Sequence, residues 1–193
     1  MKNYLPTALS IITLSFLLST CSESTQNSVP QINTQQTDQG VSDFNTDITI
    51  REIMSSLVDP HADALWNAVR VISDENGITE YFPETEEEWA ALRISAVSII
   101  ESSNSLMMPG RAVARPGAVG IFPEFEFTPE EVAARLATDF QSWAGFSQGL
   151  QDAAIGLLNA VDAKDTDALS EWGFYLDEAC EACHSTYWYR AGI

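Results

Sequence analysis

Five consecutive residues near the C-terminus hold most of the bond-forming chemistry of this chain: Cys180-Glu181-Ala182-Cys183-His184. The 193 residues contain only 3 cysteines and 2 histidines, so finding two of one and one of the other together is a strong signal. The pattern is C-x-x-C-H, the attachment motif for c-type haem. Two cysteines three apart on a helix project to one face, where each thiol can add to a vinyl group of a haem. His184 lies four residues after Cys180 on that same face, so its imidazole can reach the iron from the thioether side.

Three other readings compete for the same residues. A thioredoxin-like dithiol sits at a helix N-terminus within a β-α-β pattern. Here the pair falls at the end of a C-terminal helical pattern in a chain without convincing strand alternation. A zinc site would have to draw its fourth ligand from His61 or water, with no second cysteine pair. A disulfide three residues long closes almost no loop and adds little stability.

The elements that must position these residues read as four helices. Over 48–73 the apolar period is helical through Ile50, Met54, Leu57, His61, Leu65 and Ala68, with Asp59-Pro60 predicting a kink or restart. A second helix over 85–107 opens on the capping box Thr85–Glu88 and stops at Pro109-Gly110. The third, over 128–161, opens on Thr128-Pro129-Glu130-Glu131, and the fourth runs over 165–187. The connections 74–84 and 109–127 read as loops, the second long enough to be an ordered flap. Phe125-Glu126-Phe127 alternates but is short. The short turn at 162–164 makes the last two helices antiparallel neighbours. Trp66, Trp89, Trp143 and Trp172 are expected in the core, one or two of them against the haem.

A four-helix array with C-x-x-C-H in its last helix resembles the class II c-type cytochromes, the cytochrome c′ and cytochrome c556 group. The resemblance covers about 48–187. It implies an all-α fold, an antiparallel four-helix bundle with one haem c covalently attached to the C-terminal helix. In low-spin members of that group the first helix supplies a methionine opposite the proximal histidine, preceded by an arginine three residues earlier. This chain has Arg51-Glu52-Ile53-Met54. The resemblance therefore implies His184 and Met54 as iron ligands, and Arg51 as the partner of a haem propionate. His61 competes with Met54 as sixth ligand, and high-spin members use none. Many members place a basic residue directly after the tyrosine of C-x-x-C-H-x-x-Y. Here Trp188 stands there and Arg190 comes two later. The implied function is electron transfer, not enzymatic catalysis. The alternative is a five-coordinate protein that binds NO or CO.

Composition bounds the partners. Hydrophobic residues make up 45% of the chain, enough for a core in one domain. The net charge is −19, which excludes nucleic-acid binding, since phosphate needs a positive footprint. The same charge favours a redox partner with a basic docking surface. Residues 1–20 read as a signal peptide, with Lys2 ahead of an apolar stretch too short to span a membrane. That stretch ends Leu18-Ser19-Thr20-Cys21, which resembles a bacterial lipobox with Thr20 in the place usually held by Gly, Ala or Ser. A polar tether over 21–47 separates it from a domain over 48–193. The expected location is the periplasm, on a lipid anchor at Cys21 and in the outer membrane if the cell is Gram-negative. A homodimer is an open possibility.

Overall fold

The computed structural model of the chain describes residues 44–120 and 124–190. The expected signal peptide, Cys21 and nearly all of the tether lie outside them. Among the described residues the protein is mostly helical, with a single two-stranded sheet. No helix among the described residues is long and apolar enough to cross a membrane.

The first helical stretch is α1 (Ile50–Ile53), a π-helical turn (Met54–Val58) and α2 (Asp59–Trp66), with no gap between them. Pro60 explains the π turn. It has no N–H to return to the carbonyl one α turn back, and its ring crowds that carbonyl. The chain widens the preceding turn instead, and the Asp59 N–H bonds to the carbonyl of Met54. The expected break at Asp59-Pro60 is thus a widened turn inside a continuous helix. At its start Thr49 and Glu52 form a capping box that the sequence reading passed over. The free N–H groups of Ile50 and Arg51 donate to the carbonyls of Ala112 and Val113, both at 2.9 Å. The flap after the second long helix is therefore bonded directly onto the helix that carries Met54.

The first helix ends at Trp66, earlier than the sequence pattern suggested. Residues expected to be the end of that helix and a loop instead form a hairpin, β1 (Arg70–Asp74) and β2 (Gly77–Tyr81). Gly77, at φ +123°, supplies a backbone conformation that side chains rarely adopt, and the Asp74 carboxylate accepts from the Asn76 N–H. All ten strand residues are exposed. No buried face imposed an apolar–polar alternation, so the strands left no period-two signal.

Helix α3 (Glu86–Leu106) starts on the expected Thr85–Glu88 box. The expected third helix is two, α4 (Pro129–Thr138) and α5 (Phe140–Ala163). Asp139 divides them at φ −146°, ψ 76°, and its carboxylate caps α5 by accepting from the Ser142 N–H. Helix α6 (Thr166–Tyr187) follows a turn in which Lys164 is left-handed. Among the long elements, α5 packs against both α3 and α6, and α2 packs against the same two. Ile99, Leu106, Leu157, Leu169 and Leu176 are fully buried between them.

Helices α5 and α6 pack tightly at Gly156, directly against the Trp172 ring. A Cβ there would lie 2.1–2.4 Å from ring carbons of Trp172. Gly156→Ala is expected to destabilise the fold by about 1–3 kcal/mol, the usual penalty for overpacking. A thermal melt followed by circular dichroism reads this directly, and an unchanged midpoint refutes it.

Candidate cofactor site

Cys180, Cys183 and His184 occupy the last two turns of α6, and all three line one cavity of about 700 Å³. That volume falls within the roughly 300–1,000 Å³ typical of pockets for cofactor-sized ligands. Met54 from the π turn and Arg51 from α1 line the same cavity, as do Trp66 and Trp143. A smaller cavity of about 70 Å³ adjoins it under the flap, shared by Arg51, Met54, Cys183 and His184. The widened turn places Met54 on this wall, at its first residue. The structure thus brings together the five residues singled out from the sequence.

His61 is elsewhere. Its Nδ1 lies 3.1 Å from the Ser95 hydroxyl of α3, and it lines neither cavity. Arg190 is also spent elsewhere. Its guanidinium donates to the Glu126 carbonyl at 2.8 Å and to the Glu131 carboxylate at 2.6 Å. Met108 accepts a bond from Arg111 through its sulfur, in the flap.

The chemistry of the two thiols separates the competing readings. Cys180 and Cys183 are free and half-buried. Burial, then the nearby Asp177, Glu181 and Asp59 carboxylates, push the Cys180 thiol up to about 11. Burial pushes Cys183 up to about 12. Both are thiols at neutral pH, the reverse of a redox dithiol, whose reactive cysteine is acidified. No group of three or more His, Cys, Asp or Glu side chains converges on a metal-sized point among the described residues. The three residues are therefore not arranged as a zinc chelate. Burial also holds His184 below its ordinary pKa, which favours the neutral ring and its nitrogen lone pair. Its ring packs at an angle to Trp188 and edge-on to Tyr189.

Charge around the cavity is uneven. Asp59, Asp177, Glu181 and Glu126 line it, while Arg51 is the only arginine or lysine among the described lining residues. Arg51 donates from Nη1 to the Val119 carbonyl at 2.7 Å, which fixes the flap over its own side chain.

The sequence reading missed Glu126, a buried carboxylate on both cavity walls. Its only signal was the brief alternation of Phe125-Glu126-Phe127. That alternation is real: Glu126 makes an antiparallel bridge with Tyr189, and the Phe127 N–H donates to the Trp188 carbonyl at 2.8 Å. The end of the flap is thereby paired with the chain just beyond His184. Gly120 passes so close to the Glu126 carboxylate that a Cβ would lie 2.3 Å from Oε2.

The other end of the flap is held electrostatically. Glu52 accepts from the Thr49 N–H at 2.9 Å and hydroxyl at 2.8 Å, and from Arg115 of the flap at 3.0 Å. The Thr49 backbone bond, then its hydroxyl and then Arg115, hold Glu52 down at about 2 against an ordinary 4.5. A depressed carboxyl stabilises the fold fully above its unfolded pKa, and the contribution is lost as pH falls through the folded one. Acidification from about pH 4.5 to about 2 is therefore expected to loosen the flap and the start of α1. Glu52→Gln should flatten that part of an acid titration followed by tryptophan fluorescence. An identical titration in the variant contradicts the assignment.

No protein-family model, curated protein or solved structure matches this chain. The functional reading rests on the residues and the cavity they share.

Proposed function

We propose that this chain is an exported c-type cytochrome carrying one covalent haem, and that it transfers electrons through an iron ligated by His184 and Met54. One observation carries the reading: C-x-x-C-H from α6 and Arg51-x-x-Met54 from the first helical stretch line a single cavity of cofactor size. The bound haem would supply one-electron iron chemistry, with thioether ligation raising its potential. Cys180 and Cys183 hold it covalently. His184, its neutral form favoured by burial, offers its lone pair, and Met54 offers a sulfur from the other helix. The Arg51 guanidinium has donors left beyond the one given to Val119, suited to a propionate. On this reading α2, α3, α5 and α6 form the antiparallel four-helix bundle of the class II cytochromes. The hairpin and the α4–α5 break are additions to that plan.

The protein has no catalytic role in this proposal. The carboxylates around the cavity and the net charge of −19 draw a basic redox partner to the cofactor edge. Export places it in the periplasm on a lipid anchor at Cys21.

The alternative is a five-coordinate protein that binds NO or CO. The cavity of about 70 Å³ beside Met54 favours it, being roomy enough for a diatomic under the flap. The direct test is maturation in a host that assembles c-type cytochromes. The expected product is coloured, gives a pyridine haemochrome and exceeds the processed chain in mass by one macrocycle. A colourless product of bare-chain mass refutes both readings.

A further inference from the structure

Strand β1 reads Arg70-Val71-Ile72-Ser73-Asp74, and its charge pattern is self-complementary. If it pairs antiparallel with the same strand of a second copy, centred on Ile72, Arg70 of each copy stands opposite Asp74 of the other. Ile72 then meets Ile72 on the two-fold axis, and Val71 meets Ser73. Arg70, Ile72 and Asp74 alternate along the strand, so all three share one face. The two ion pairs and the apolar contact therefore lie side by side on that face.

The surroundings leave this edge available. Among the described residues β1 pairs only with β2, in a two-stranded sheet, and no described residue bonds to the backbone donors and acceptors of its outer edge. Val71 is 66% exposed and Ile72 41% exposed. A two-stranded hairpin is marginal in water by itself, whereas four strands meet the usual requirement for a stable sheet. The Arg70 guanidinium lies 5.0 Å over the Tyr81 ring and only Oδ1 of Asp74 is engaged, by the Asn76 N–H. Both groups can accept a second partner. The other strand has no such match: Gly77-Ile78-Thr79-Glu80-Tyr81 carries one charge and nothing to pair with it.

We propose that the protein forms a two-fold dimer through β1, joining two hairpins into a four-stranded antiparallel sheet. The occupant of the edge is a second copy of this chain, selected by the Arg70–Asp74 pairing. The inference does not depend on the cofactor.

Sedimentation velocity of the purified full chain across a range of concentrations tests it. The native chain should dimerise. Arg70→Asp and Asp74→Arg each place like charges opposite one another, and should weaken self-association by at least about tenfold. The hairpin is solvent-exposed, so circular dichroism should show both variants folded. The Arg70→Asp chain carries carboxylates at both ends of the strand, and the Asp74→Arg chain carries guanidinium groups at both. Mixed in equal amounts they should form a heterodimer, and the double swap Arg70→Asp/Asp74→Arg should restore self-association. A monomeric native chain overturns the proposal. So does a dimer indifferent to either substitution, or failure of the two variants to pair.

Discussion

A chain with Cys180 and Cys183 both replaced by alanine is expected to emerge from cytochrome maturation without covalent pigment. In the proposed cytochrome each thiol makes one thioether, and both face the shared cavity from α6. They are the only cysteines among the described residues; Cys21 lies outside them. His184 by itself could retain a haem only as a dissociable ligand. A denaturing gel stained for haem should therefore fall to background for the double variant. Each single variant should keep one thioether and some stain. The double variant should also lose thermal stability, because a cavity of about 700 Å³ between helices then lacks its covalently held filling. Covalent pigment persisting in the double variant would put the attachment elsewhere and end the assignment of the site.

Replacing Met54 with alanine should change the electronic state of the protein without detaching its pigment. Met54 begins the π turn and lines both cavities with His184, from the opposite helix. If its sulfur ligates iron, the oxidised native protein is low-spin with a weak far-red charge-transfer band. The variant should lose that band, turn high-spin and bind CO rapidly when reduced. Its potential should fall, on the order of 0.1 V or more, because axial ligands set haem potentials over several tenths of a volt and thioether ligation raises them. Folding should suffer less, since the side chain is only half-buried and borders a cavity already. An unchanged spectrum would leave Met54 as packing and favour the five-coordinate gas-binding reading.

Both predictions use residues that are legible in the sequence. C-x-x-C-H needs only its own helix, because three- and four-residue spacings fix which side chains share a face. The capping boxes at Thr85 and Thr128 were legible for the same reason, each being closed within one turn. Asp139 was not, since an acid in an apolar helical pattern reads as a solvated position until its carboxylate is seen to cap α5. The hairpin was hidden because strands exposed on both faces carry no burial pattern.

Local spacing fixes that Cys180, Cys183 and His184 face one way and that helices predominate, and composition fixes that the chain is strongly acidic. What lies across from them is set by long-range packing. Met54 and His61 are both on the first helical stretch, two turns apart, and periodicity cannot rank them. The π turn before Pro60 and the packing of α2 against α3 do so: Met54 comes to the cavity, while His61 is bonded to Ser95. Glu126 and the flap reach the site through pairing with residues distant in the chain. A side chain's own neighbours set its direction, but its opposite number depends on how helices stack, and that information is spread over the whole core.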